Sequence, residues 1–151
     1  RDLLSSCQAP VISFTMNIPG PVKLLPHVTD AFQDGARAVE EALSRRQIPL
    51  LRREMIREKT GWEAFFCADA SPETLKEITV AIEDRDPVGR LYDMDVIRTD
   101  GSKVSREDLH LPGRKCLLCG EPAHACARSR RHSVEELTEE IQRILAGRYG
   151  R

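Results

Sequence analysis

Asp93 and Asp95 stand two apart in the run Gly89 to Ile97, GRLYDMDVI, which otherwise reads as a strand. Side chains alternate faces along a strand, so the two acids share one. Carboxylates held that close repel and raise each other's pKa, and a divalent cation relieves the repulsion. Hard oxygen ligands of this kind suit Mg²⁺ or Mn²⁺, whose sites often hold substrate phosphates as well. The plainer alternative is a pair of solvated acids on an exposed face, since structural acids far outnumber catalytic ones.

A second set of candidates is rich in sulfur. Cys116, Cys119, Cys126 and His132 make C-x2-C-x6-C-x5-H, the ligand count of a tetrahedral zinc site. His124 is an alternative fourth ligand, inside the Cys119 to Cys126 loop where the geometry is tighter. Unligated buried thiols are the competing reading. Disulfides are disfavoured by the odd total of 5 cysteines and by the cytoplasmic setting expected below. Cys7 and Cys67 read as ordinary core or strand residues.

Four cations could meet a phosphate: Lys23 after the Pro19-Gly20-Pro21 turn, Arg90 three residues before Asp93, Arg106 and Arg114. Each alone is an ordinary surface charge, but together they flank the acidic face in the topology expected here. No third carboxylate stands out as a base; Asp100 and Asp108 are the available ones. The chain has no Walker-type Gly-rich loop and no Gly-x-Ser-x-Gly elbow, so P-loop and hydrolase chemistry lack support.

The elements that must position these residues follow from periodicity. Pro10 to Ile18 alternates as a strand, with Ile12, Phe14, Met16 and Ile18 on one face. Leu25, Val28, Phe32, Ala36, Val39 and Leu43 predict a helix from about Leu24 to Arg46. Pro49 to Arg57 and Trp62 to Ala68 read as a hairpin about Gly61. Ser71, with Pro72 behind it, caps a helix striped by Leu75, Ile78 and Ile82 that ends before Pro87. The acidic strand is next, then the Asp100-Gly101 turn and a short return strand within Ser102 to Arg106. A capping box, Ser133 to Glu136, opens a final helix striped by Val134, Leu137, Ile141 and Leu145.

The order βαββαβ predicts an α+β fold with an antiparallel or mixed sheet, ferredoxin-like or nucleotidyltransferase-palm-like, carrying both helices on one face. The first and fourth strands should then be neighbours, with Asp93 and Asp95 on the open face beside Thr15 and Asn17. Residues 1–110 are expected to form the core and 111–151 a Cys/His-rich segment and helix packed on it, as one domain.

A chain of 151 residues with 40% hydrophobic content supports one compact domain. Its net charge of −1 gives no global basic field for nucleic acid or membrane surfaces. Of the 23 basic residues most are Arg, whose planar fork suits bidentate phosphate recognition, although a GC-rich genome also favours Arg. No apolar run reaches transmembrane length and no signal-peptide pattern opens the chain, so a soluble, cytoplasmic protein is expected. The first residue is Arg1 rather than Met, as expected of an excerpt or of a processed form.

PGPVK at Pro19 to Lys23, GRLYDMDVI, SRED at Ser105 to Asp108, and LPGRKCLLC with CARSRRH between Leu111 and His132 together resemble the apo-citrate lyase phosphoribosyl-dephospho-CoA transferases, the CitX family. The resemblance covers nearly the whole chain in order. It implies transfer of a phosphoribosyl-dephospho-CoA unit from its triphosphate precursor to a serine of the citrate lyase acyl carrier protein, with loss of pyrophosphate. This is a nucleotidyltransferase-type substitution at phosphorus, for which carboxylate-held Mg²⁺ is suited. Asp93 and Asp95 would hold the metal; Arg90, Lys23, Arg106 and Arg114 would neutralise the triphosphate; Gly89 would let backbone approach it. The partners expected are the carrier protein and the precursor, with no nucleic acid and no membrane. Two other readings compete. One is a zinc-knuckle nucleic-acid module with Arg128, Arg130 and Arg131 as its basic patch, against which stands the 5% aromatic content. The other is a non-catalytic assembly subunit that docks through its last helix.

Overall fold

Alternation of apolar and polar residues makes Val11–Met16 the central strand β1, with Ile12, Phe14 and Met16 buried on one side. The computed structural model describes residues 7–18, 26–59, 61–119, 121–123 and 132–150. Helix α1 spans Val28–Arg45. It starts four residues later than apolar spacing alone predicts, behind Pro26 and a left-handed His27 (φ 73°) that turn the chain into it. Leu24 and Leu25 lie outside the described residues.

Strands β2, Leu50–Glu58, and β3, Gly61–Ala68, form the expected hairpin. Helix α2, Pro72–Asp84, starts where the cap predicts: Ser71 Oγ accepts from the Thr74 N–H at 3.1 Å. A 3₁₀ turn, Gly89–Leu91, leads into β4, Tyr92–Ile97. The return strand β5 is only two residues, Lys103–Val104, and helix α3, Val134–Tyr149, closes the fold behind the expected capping box.

The sheet is antiparallel throughout, in the order β2-β3-β1-β4-β5. Its first four positions are the split βαβ arrangement, so β1 and β4 are neighbours as predicted. Phe14, Phe66, Tyr92, Met94 and Val96 pack one face against Phe32, Val39, Leu43, Leu75 and Ile78 of the helices, and Ile141, Ile144 and Leu145 of α3 join that core. Tyr149 at the end of α3 donates to Asp34 of α1, and Tyr92 Oη donates to the Ala31 carbonyl.

Gly35 is the tight point of this packing. A Cβ there would lie 2.5 Å from Cζ of Phe14 and 2.9 Å from Cζ of Tyr92, two rings with no room to retreat. Gly35→Ala is therefore expected to lower stability by ~1–3 kcal/mol despite Ala's better helix propensity, which recovers at most about 1. Urea unfolding of the variant checks this, and a gain in stability would contradict it.

On the opposite face, Val11, Phe65 and Cys67 form a small apolar cluster, joined by Cys7, Ala9 and Ile56. Here the expectation for two cysteines is corrected. Cys7 and Cys67 are joined as a disulfide, with Cα atoms 6.5 Å apart. The cause is non-local: the Ala68 N–H donates to the Pro10 carbonyl, which lays the segment before β1 beside β3 and brings Cys7 over Cys67.

Candidate active site

The burial of β4 alternates, placing Tyr92, Met94 and Val96 under the helices and Asp93 and Asp95, half-buried, on the open face. Their neighbours on β1 are Thr15, opposite Asp93, and Ser13, opposite Asp95. The expected pair was Thr15 and Asn17, and the register is shifted by two: Asn17 lies beyond the strand and donates its N–H to the Leu91 carbonyl. Burial, then the charge of Asp95, then that of Glu83 push Asp93 above the ordinary carboxylate range, against the pull of Arg114 and Lys103. Asp95 pairs with Lys103 Nζ at 3.3 Å.

Strand β5 covers only Val96 and Ile97, so β4 has an uncovered outer edge. Backbone groups on such an edge need partners. Charged side chains supply them: the Tyr92 carbonyl accepts from Arg114 Nη1 at 2.7 Å, the Met94 N–H donates to Glu83 Oε2 at 2.8 Å, and the Met94 carbonyl accepts from Lys76 Nζ at 3.3 Å. Glu83 and Lys76 are both more than nine-tenths buried. Glu83 also accepts from Arg106 Nη2 at 2.7 Å and lies 3.5 Å from Arg114 Nη1.

The predicted arginines are thus gathered, each by a specific internal contact. Arg106 is held by Glu83 and, at 3.1 Å, by Asp84, so its charge is met within the protein. Arg114 Nη2 donates to the Arg90 carbonyl at 2.8 Å, and Arg90 Nη2 in turn donates to the carbonyls of Lys115 and Cys116 at 3.2 and 3.0 Å. The hydrogen-bond partners of Arg90 are neutral carbonyls, while its charge also acts on Glu140 of α3. Gly89 has a packing reason to be glycine: a Cβ would lie 2.4 Å from the Ile82 carbonyl oxygen at the end of α2. Lys23 lies outside the described residues.

Asp93, Asp95, Lys76, Glu83, Arg114 and Lys115 are among the residues that line a cavity of about 700 Å³ at the β4 edge. The two acids considered as bases are elsewhere. Asp100 accepts from the N–H and hydroxyl of Ser102 in a turn, and Asp108 accepts from the Ser105 N–H; these bonds hold both carboxylates below their ordinary pKa.

Sequence reasoning missed four residues here: Lys76, Glu83, Lys103 and Lys115. A signal existed for two of them. Lys76, Thr79 and Glu83 recur at helical spacing on α2 next to the stripe of Leu75, Ile78 and Ile82, and a Lys and a Glu in that position must find partners when buried.

Beside the cavity the chain makes a small knuckle. Residues 115 and 122 form an isolated bridge, the Cys116 N–H donates to the Glu121 carbonyl at 2.6 Å, and the Ala123 N–H donates to that of Arg114 at 3.0 Å. The ligand atoms of Cys116, Cys119 and His132 all lie within 4.8 Å of one another, with His132 Nε2 3.4 Å from Cys119 Sγ. The Leu118 N–H donates to Cys116 Sγ at 3.4 Å, the kind of outer hydrogen bond that orients a metal-ligating side chain. Three soft ligands so placed fit zinc. Cys126, His124 and the basic trio Arg128, Arg130 and Arg131 lie outside the described residues.

The open face of the split βαβ sheet thus carries two carboxylates on its fourth strand, with cations along its edge. Residues 1–147 match the family described as apo-citrate lyase phosphoribosyl-dephospho-CoA transferase. A Vibrio cholerae protein named "Probable apo-citrate lyase phosphoribosyl-dephospho-CoA transferase" is 43% identical over 136 residues, 89% of this chain and 76% of that one. A Streptococcus pyogenes protein of the same name is 37% identical over 138 residues, 89% of this chain and 71% of that one. The "Apo-citrate lyase phosphoribosyl-dephospho-CoA transferase" of Citrobacter koseri is 32% identical over 136 residues, 90% and 74% of the two chains. The chain belongs to the apo-citrate lyase phosphoribosyl-dephospho-CoA transferase family, a family of transferases. Among the described residues no helix is long and apolar enough to cross a membrane.

Proposed function

We propose that this chain moves the 2′-(5″-phosphoribosyl)-3′-dephospho-CoA group from its triphosphate precursor to a serine of the apo citrate lyase acyl carrier protein, releasing pyrophosphate, in the cytoplasm. The observation that supports it most is the placing of Asp93 and Asp95 side by side in the β4-edge cavity, with Arg114 and Lys115 on the same wall. The serine oxygen bonds to the α-phosphorus as the bond from that phosphorus to the β-bridging oxygen breaks. Pyrophosphate leaves with the electron pair, and the serine proton passes to solvent.

Asp93 and Asp95 fit a hard divalent cation. They share a face, and Asp93 is already pushed toward protonation by burial and by its acidic neighbours, a cost that a bound cation offsets. Mg²⁺ there would stabilise the attacking and leaving oxygens. Arg114 places positive charge beside the acids, Arg90 lines the adjoining groove, Arg106 braces Glu83, and Lys115 supplies an ammonium. Lys23 remains a candidate phosphate ligand ahead of α1, and Gly89 keeps β4 close to α2. Pyrophosphate release that requires both Mg²⁺ and the carrier is the expected behaviour. Release without the carrier, or none with it, would overturn the reading.

The zinc-ligand set is completed, in this reading, by Cys126 as fourth ligand to Cys116, Cys119 and His132, with a structural role. Elemental analysis of protein purified without chelator is expected to give about one zinc per chain, and chelation should lower thermal stability. A metal-free protein of unchanged stability would show that the thiols are unligated.

A further inference from the structure

We propose that the groove between α3 and the cysteine knuckle binds the pantetheine arm of the substrate, with the diphosphate of that arm on Arg90, Arg114 and Lys115; this rests on the function proposed above. The groove is a second cavity, of about 840 Å³, in the size range of small-molecule sites. One wall comes from α3, with Val134, Leu137 and Ile141, and the others bring Ile18, Leu117 and Ala123. Its apolar residues are all aliphatic, and the one ring among its described lining residues, His132, is engaged with Cys119 Sγ at 3.4 Å. That favours a branched aliphatic chain with amide groups over a nucleobase. Asn17 and Ser133 add polar groups for such amides.

The groove is continuous with the carboxylate cavity. Arg114 and Lys115 line both, and Arg90 lines the groove beside them. From end to end the surface therefore runs aliphatic, cationic, then acidic with cationic neighbours. The substrate runs in the same sense: pantetheine, then its diphosphate, and, beyond the adenosine, the ribose that carries the reacting triphosphate. Arg90 donates only to neutral carbonyls, although its charge also acts on Glu140 of α3, and Lys115 has no side-chain partner among the described residues, so the ridge offers positive charge to the diphosphate.

The test is calorimetric binding of two probes to the full chain: 3′-dephospho-CoA, which carries the arm and its diphosphate, and inorganic triphosphate with Mg²⁺, which reports the carboxylate end. Leu137→Glu puts a like charge into the groove and is expected to weaken 3′-dephospho-CoA about tenfold or more, leaving triphosphate affinity unchanged. Val134→Glu, at an exposed position that the fold tolerates, should act in the same direction if Leu137→Glu does not fold. No binding of 3′-dephospho-CoA by the wild type, or equal binding by folded variants, would overturn the proposal. So would an effect confined to the KM for the carrier protein, which would make the groove a carrier-docking surface. Failure of triphosphate to bind, with the groove variants still weakening 3′-dephospho-CoA, would uphold the groove and overturn the carboxylate assignment instead.

Discussion

Asp93→Asn and Asp95→Asn are each expected to reduce Mg²⁺-dependent pyrophosphate release by roughly 10²–10³-fold or more, while the protein stays folded. The size follows from what a bound cation contributes to stabilising charge at phosphorus, several kcal/mol at about 1.4 kcal/mol per factor of ten. Asn keeps the shape of the side chain and removes the charge, so the loss isolates the electrostatic role. Asp93 adds a second readout. Its pKa in the folded chain is raised above the ordinary value by burial and by the charges of Asp95 and Glu83. The folded state therefore binds the proton more tightly than the unfolded state does. Stability is lost as pH rises from the ordinary Asp value through the raised one. Asp93→Asn removes that loss and should be at least as stable as the wild type at neutral pH, the difference vanishing in acid below the ordinary Asp value. An inactive variant that is also less stable at neutral pH would indicate a structural role for Asp93. Full activity in either variant would remove the acids from the metal site.

Glu83→Ala should produce the largest loss of stability, ~3–5 kcal/mol, the usual cost of leaving one member of a buried ion pair without its partner. The Glu83 side chain is 3% exposed and meets both Arg106, itself 10% exposed, and the Met94 N–H. Alanine leaves Arg106 with Asp84 as its one carboxylate partner and strands a backbone donor at the edge of the strand that carries both acids. Glu83→Gln retains an acceptor for Met94 but confronts Arg106 with a second donor, so it should lose less, ~1–3 kcal/mol. Denaturant unfolding of the pair of variants measures both. A loss below about 1 kcal/mol in Glu83→Ala would mean that the β4 edge does not depend on this carboxylate.

The elements were legible wherever a local rule decides them. Ser71 and Ser133 announce their helices because a cap is a contact within four residues, and alternation in YDMDVI suffices to put Asp93 and Asp95 on one face. The arrangement around the acids was less legible, because contacts between elements decide it. Nothing near Arg106 in the sequence signals Glu83, 23 residues away, and nothing near Arg114 signals that its guanidinium closes the β4 edge at Tyr92. Register is a similar case. The strand pattern pairs β1 with β4 but not Thr15 and Ser13 with particular acids, and a shift of two keeps every residue on its face. The Cys7–Cys67 bridge has a sequence separation of 60 and depends on how the chain before β1 is laid along β3. Gly89 is singled out in the sequence for close backbone approach to the substrate, and the structure gives it a packing role, close against the Ile82 carbonyl.

The central claim is that this chain attaches a phosphoribosyl-dephospho-CoA group to a carrier serine, and the intact mass of the carrier tests it most directly. After incubation of the chain with apo acyl carrier protein, the triphosphate precursor and Mg²⁺, the carrier should gain the mass of one phosphoribosyl-dephospho-CoA unit, and a carrier with its acceptor serine replaced by alanine should gain none. An unchanged mass, with a carrier that accepts the group from another member of the family, would contradict the account.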